Sequence, residues 1–143
     1  MQAQILMPAA VLVIWSIVML FWMAFTRLPA LSKLGGLAKA KPGGRGQDLE
    51  GVVPDVINWK AHNYAHLMEQ PTLFYATITI LAIMGAGSLD VALAWGYVAI
   101  RVVHSIWQAT VNRVPVRFTL FALSTLCLIL LAIRALGATL GHG

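Results

Sequence analysis

The stretch from Ile5 to Phe25, ILMPAAVLVIWSIVMLFWMAF, decides the fold because it is continuously apolar and carries no charge. At a rise of about 1.5 Å per residue, a helix of this length crosses a hydrocarbon core of roughly 30 Å. The stretch is also longer than the apolar region of a signal peptide, about 7–15 residues, and Met1 to Gln4 contains no Lys or Arg. We therefore expect it to remain in the protein as a first transmembrane helix.

The composition of the whole chain agrees with this prediction. Of its 143 residues, 59% are hydrophobic and 10% are charged, and the mean hydropathy is +0.80. Soluble domains carry about 25% charged residues. We therefore predict one integral membrane domain over residues 1–143, and we attribute the net charge of +5 to membrane topology rather than to nucleic-acid binding. The single cysteine, Cys127, lies in an apolar run and is expected to be a buried, inert thiol.

The hydropathy pattern predicts four transmembrane helices, at about residues 5–26, 57–84, 89–111 and 116–136. A Gly- and Lys-rich loop at about residues 28–55 separates the first two, and short turns separate the others. Strands are excluded because an open strand edge in lipid leaves backbone groups without partners. The expected fold is an all-α, four-helix, up-and-down membrane bundle.

Lys and Arg residues are concentrated on one side of this arrangement. The loop after the first helix and the loop after the third share that side, which holds Arg27, Lys33, Lys39, Lys41, Arg45, Lys60, Arg113 and Arg117. The opposite side has only Arg134, near the C-terminus. The positive-inside rule therefore predicts a cytoplasmic long loop, with both termini on the other side.

Polar residues inside the predicted helices collect at the same cytoplasmic end. The second helix opens with NWKAHNYAHLMEQ, the third becomes polar only from Arg101 onward, and the fourth starts with basic residues. In an up-and-down bundle, the following residues lie at a similar depth in the membrane: Lys60, His62, Asn63, His66, Glu69, Arg101, His104, Gln108, Arg113 and Arg117. Since a charge inside a membrane is costly, Arg101 should face protein, with Glu69 as its expected partner.

The residue types in this cluster allow several interpretations. Arg113 and Lys60 could be topology charges, Arg101 and Glu69 a structural ion pair, and the histidines interfacial hydrogen-bonding groups. His62, His66 and Glu69, at i, i+4 and i+7, match metal ligands in kind, although this spacing is common by chance. As a unit, the cluster suits a small anion that also carries an amine, with an apolar co-substrate entering from the lipid.

The segment from Arg101 to Arg117, RVVHSIWQATVNRVPVR, resembles the end of the third helix and the start of the fourth in prostaglandin E synthase-type members of the MAPEG superfamily. These are membrane-associated proteins of eicosanoid and glutathione metabolism. The shared features are R-x-x-H, the later R-x-P-x-R, and the spacing between them. Lys60-Ala-His62 resembles the superfamily's Arg-Ala-His and is followed by Asn63, Glu69 and Pro71, although the spacing from Asn to Glu to Pro differs.

This resemblance implies a homotrimer that binds glutathione between subunits at the cytoplasmic end. The implied activity is a glutathione-dependent transferase or peroxidase of the bacterial inner membrane, acting on lipophilic electrophiles. Arg117 would be the catalytic residue, stabilising the glutathione thiolate. Glutathione would be bound by residues of the same cluster, which are Lys60, His62, Asn63, Glu69, Arg101, His104, Gln108 and Arg113.

The chain departs from the prostaglandin synthase pattern at two positions. Gln108 and Phe121 stand where that pattern has tyrosines that grip glutathione. These departures favour an alternative, a noncatalytic subunit that keeps the fold within a larger membrane complex. A third hypothesis is a metal or haem site built from His62, His66 and His104.

Overall fold

The computed structural model describes residues 2–141, and within that range it contains helices and no strand. The bounds of its α-helices are α1 Gln2–Ser32, α2 Asp55–Leu67, α3 Gln70–Met84, α4 Ser88–Thr110 and α5 Val114–Gly141. Two short 3-10 helices, Leu37–Lys39 and Gly46–Leu49, lie in the loop between α1 and α2. Counting α2 and α3 together, four segments are long and apolar enough to cross a membrane. The predicted four-span, all-helical plan is confirmed.

The second span is divided in two, whereas the sequence predicted one helix over about residues 57–84. The helix ends at Leu67, and a new one begins at Gln70. The cause is Pro71, which has no N–H to donate to the carbonyl of Leu67 and whose ring clashes with that carbonyl. Helical periodicity is therefore lost at Met68 and Glu69, just after the polar part of the span.

Contacts at the two ends establish the up-and-down order of the helices. At one end, the side chain of Gln2 donates to the carbonyl of Ala82 over 3.3 Å, and Arg134 forms an ion pair with Asp90. At the other end, Arg27 donates to the carbonyl of Gly46 over 3.5 Å. Both turns between spans use left-handed backbone, at Gly85 (φ 97°) after α3 and at Asn112 (φ 53°) before α5.

The apolar core receives residues from all five α-helices, and most of them lie in the half of the bundle away from the long loop. From α1 it receives Ile5, Leu12 and Met19, which are seven residues apart and so share one face of the helix. The rings of Phe74 and Tyr97 stack with centroids 4.4 Å apart, joining α3 to α4. The outer faces carry many exposed leucines, isoleucines and valines, as a lipid-facing surface requires.

Candidate functional site

A cavity of about 270 Å³ opens between α2, α4 and α5 at the end of the bundle nearer the long loop. It is lined by His66, His104, Gln108, Val114, Arg117, Phe118 and Phe121. Three of these residues, His104, Gln108 and Arg117, were predicted from the sequence to belong to the site. The up-and-down order of the helices therefore places the polar ends of α4 and α5 next to each other, as expected.

Arg101 lies behind this cavity and is completely buried, at 0% exposure. The prediction that it faces protein is confirmed. Its Nη2 lies 2.7 Å from Nδ1 of His66. Across the described part of the chain, its Nε and Nη1 have no hydrogen-bond partner. A buried guanidinium with unused donors is costly, so this residue has the capacity to bind an additional acceptor group.

The prediction that Arg101 pairs with Glu69 is wrong. Glu69 is exposed, and the ion pairs found within residues 2–141 are Lys41–Asp48, His62–Glu50 and Arg134–Asp90. The i, i+4, i+7 pattern that placed Glu69 on the face of His62 and His66 holds only in a continuous helix. The break after Leu67 interrupts this pattern before Glu69, and His66 is the residue that contacts Arg101.

Two histidines form one wall of the cavity. The rings of His66 and His104 stack with centroids 5.1 Å apart and planes at 23°, and Phe121 meets His66 edge-on at 5.5 Å. Because arginine can only donate, Nδ1 of His66 must accept from Arg101, and the ring proton of His66 is therefore on Nε2. His104 is 1% exposed, and its buried Nδ1 has no partner among the described residues.

Arg117 is held at the mouth of the cavity by the turn that precedes α5. Its Nη1 donates to Oδ1 of Asn112 over 2.6 Å. Asn112 has the positive φ of 53°, which asparagine tolerates better than most residues. The turn therefore positions the guanidinium while leaving its remaining donors available to a bound group.

Asn63 and Gln108 are buried polar residues on facing helices, α2 and α4. The hydroxyl of Ser105 donates to Oδ1 of Asn63 over 2.8 Å. Nδ2 of Asn63 and Oε1 of Gln108 find no hydrogen-bond partner within the described residues. Buried polar groups are normally paired, so these unpaired atoms are typical of a site that completes its hydrogen bonds with a ligand or water.

The other residues predicted for this site lie away from the cavity. His62 contacts Glu50 over 2.7 Å and lines a separate cavity of about 240 Å³ beside α1. Nζ of Lys60 donates to the carbonyl of Val56 over 3.1 Å and lies 5.4 Å from the centroid of the Trp22 ring. Arg113 is exposed, and its carbonyl accepts from Nε1 of Trp107 over 3.1 Å. Within one chain, the predicted cluster therefore divides between the two sides of α2.

The placement of the histidines bears on the metal hypothesis. His62 lies on the α1 side of α2, whereas His66 and His104 stack on the α4 side. Within residues 2–141, no group of three or more His, Cys, Asp or Glu side chains is arranged to hold a metal ion. The trio of His62, His66 and Glu69 therefore does not converge in this chain.

Sequence reasoning missed two parts of the site. Asn112 lies in the predicted turn before the fourth helix and was given no role in the site, although its positive φ and its hydrogen bond fix Arg117. His66 was placed in the cluster and in the metal hypothesis, but not among the residues expected to bind glutathione. The signal that could have found it is the proline at position 71, which shifts the end of the polar face of α2 from Glu69 back to His66.

The fold and this cavity define a small multi-pass membrane protein with a cationic, histidine-containing site at one end of a helical bundle. The family model of MAPEG matches residues 5–137, nearly the whole chain, and the protein belongs to the MAPEG family. Comparison with curated proteins and with solved structures found no match.

Proposed function

We propose that the protein is a glutathione-dependent membrane transferase or peroxidase that acts on lipophilic electrophiles. The observation that carries the proposal is the α2–α4–α5 cavity, in which Arg117 stands beside two histidines. Arg101 lies behind them with two unused donors. Membership of the MAPEG family is consistent with a glutathione-related role.

The chemistry follows from the charges. Glutathione carries two carboxylates, an ammonium group and a thiol. The Arg101 guanidinium suits a carboxylate, and the Arg117 cation near the sulfur favours the thiolate, which is the nucleophilic form. In the transferase reaction, the thiolate attacks an electrophilic carbon, a carbon–sulfur bond forms, and the leaving group departs with its electron pair.

The apolar substrate would reach the sulfur from the membrane. Phe118 and Val114 line the cavity and are 66% and 58% exposed, on the surface that the bilayer would cover. Aliphatic and aromatic walls of this kind accept many lipophilic molecules, so the proposal specifies the class of electrophile and not one compound.

A homotrimer, with glutathione bound between subunits, is part of the proposal. Glu69 supports it, because this carboxylate is exposed at the midpoint of the second span, Asp55–Met84. An ionised group facing lipid at such a depth costs about 2.5–3.5 kcal/mol, whereas a neighbouring subunit can supply polar partners. We further propose that the long basic loop is cytoplasmic and that the membrane is a bacterial inner membrane.

Calorimetric titration with glutathione in detergent, together with turnover of an aryl halide, tests the function. We expect saturable binding and turnover by the wild type and by Lys33→Ala, an exposed loop substitution that removes the same charge as Arg117→Ala. Arg117→Ala should lose turnover. A wild-type protein that neither binds glutathione nor turns over the aryl halide would overturn the proposal.

The alternative function is a noncatalytic subunit of a larger membrane complex. It is favoured by Phe121, which offers no hydroxyl and packs against His66 with centroids 5.5 Å apart. The two proposals differ in a native affinity purification of the full chain. A single stoichiometric larger partner, combined with no glutathione binding, would favour the subunit role.

A further inference from the structure

A larger cavity, of about 610 Å³, lies between the end of α1 and the loop that follows it. Five of the residues that line this loop cavity are leucines, namely Leu28, Leu31, Leu34, Leu37 and Leu49. Leu28 and Leu34 are each 49% exposed, and Leu37 is 67% exposed. An exposed apolar strip of this kind marks a surface that binds a partner or a membrane component.

The lining of the loop cavity is also cationic. It contains Arg27, Lys39, Lys41 and Arg45 against one carboxylate, Asp48. Asp48 accepts from the backbone N–H of Arg45 over 2.9 Å and lies 3.8 Å from Nζ of Lys41. This backbone hydrogen bond, with the nearby Lys41 and Arg45 charges, keeps the pKa of Asp48 below its ordinary value. The carboxylate is therefore ionised at neutral pH and offsets only one of the four cations.

The loop cavity lies at the depth of lipid headgroups. Ile5 and Arg27 both belong to α1 and are roughly 33 Å apart along its axis at a rise of about 1.5 Å per residue. That distance equals the thickness of a hydrocarbon core, about 30 Å, so Arg27 and the residues after it lie at the membrane surface. Arg27 also ties the loop to α1 by donating to the carbonyl of Gly46.

We propose that the loop cavity binds an anionic phospholipid. The phosphate lies among Lys39, Lys41 and Arg45, and an acyl chain contacts the leucines. A soluble anion would use the cations and leave the leucines in water. A zwitterionic lipid would bring its own cation into a site that already has an excess of positive charge. An anionic phospholipid is the membrane component that matches both the leucines and the cations, and a basic loop favours such lipids by roughly fivefold per Lys or Arg.

This lipid site is independent of the proposed enzymatic function. The loop cavity shares no lining residue with the cavity that contains Arg117, His66 and His104. Loss of glutathione binding would therefore leave the lipid proposal intact, and loss of lipid binding would leave the enzymatic proposal intact.

Native mass spectrometry of the full chain tests the proposal. The protein is released from nanodiscs that contain equal amounts of phosphatidylglycerol and phosphatidylcholine. We expect the wild type to retain phosphatidylglycerol, and Lys39→Ala/Arg45→Ala to retain roughly 25-fold less of it. The control, Lys33→Ala/Arg113→Ala, removes two exposed cations that do not line the loop cavity and should retain the lipid. Lys39→Arg/Arg45→Lys keeps both charges and should also retain it.

Three results would overturn the proposal. One is equal retention of the two lipids by the wild type. A second is an equal loss of retained lipid in the two double alanine variants. That result would show that retention depends only on the total charge of the protein. The third is displacement of the lipid by millimolar glycerol phosphate, which would identify the ligand as a soluble phosphate ester.

Discussion

Nη2 of Arg101 on α4 lies 2.7 Å from Nδ1 of His66 on α2, in a part of the bundle where the arginine has no exposure to solvent. This contact joins two of the three helices that frame the proposed glutathione cavity. It also sets the tautomer of His66, because the nitrogen facing the guanidinium must accept. The site is therefore organised around a buried cation whose protein partner is neutral, which leaves its positive charge available to an anionic ligand.

Replacing His66 tests how much its contact with Arg101 stabilises the folded protein. His66→Leu removes the acceptor and leaves the buried guanidinium with no partner, so we expect the free energy of unfolding to fall by about 3 kcal/mol. His66→Asn keeps an acceptor near the position of Nδ1, so its free energy of unfolding should fall by less than half as much. Thermal unfolding in detergent measures both variants. Equal losses would show that the hydrogen bond contributes little.

The buried contact between Ser105 and Asn63 should also stabilise the packing of α2 on α4. Ser105→Ala leaves the side chain of Asn63 without its protein donor, at an expected cost of about 1–2 kcal/mol. Thr79→Ala is the matched control, since Thr79 is exposed and bonds only to the carbonyl of Tyr75 in its own helix. Its unfolding midpoint should stay close to that of the wild type. A control as destabilised as Ser105→Ala would contradict this explanation.

The break between α2 and α3 should depend on Pro71. Pro71→Ala supplies an N–H that can donate to the carbonyl of Leu67, so the helix can continue through Met68 and Glu69. We expect the amide at position 71 to exchange slowly with deuterium in the variant. Because a continuous helix changes the direction of Glu69 relative to α4, glutathione binding should weaken. Rapid exchange at position 71 would show that another feature causes the break.

The ion pair between Asp90 and Arg134 lies at the opposite end of the bundle and should affect stability alone. Asp90 is 3% exposed and also accepts from the backbone N–H of Gly87 over 2.8 Å. Asp90→Asn removes the charge but keeps an oxygen, and we expect a small fall in the unfolding midpoint, limited by the exposure of Arg134. Calorimetry should find unchanged glutathione affinity. A large change in affinity would mean that the two ends of the bundle are coupled.

Hydropathy and charge were sufficient to predict the four spans, the basic loop and the burial of Arg101, because bilayer thickness and the cost of intramembrane charge constrain these features strongly. The partner of Arg101 could not be obtained in the same way. Helical spacing pointed to Glu69, but one proline ended the helix before that residue and left His66 in contact. The role of Asn112 depends on a single positive φ in a turn, which hydrophobic periodicity does not encode.

Assembly can be checked by native mass spectrometry in detergent, with and without glutathione. The proposal predicts three copies of the chain, and added mass from glutathione only on the trimer. Glu69→Gln keeps the shape of the side chain and removes its charge, and it should weaken either the trimer or its ligand binding. A monomer that binds glutathione fully would contradict a site between subunits.

The most direct test of the proposed function is the ultraviolet absorbance of bound glutathione at neutral pH. If the Arg117 cation stabilises the thiolate, the wild type and Lys33→Ala should both show the thiolate band when saturated, and Arg117→Ala should not show it at saturating ligand. A thiolate band of full intensity in Arg117→Ala, or its absence from the saturated wild type, would contradict the role assigned to Arg117.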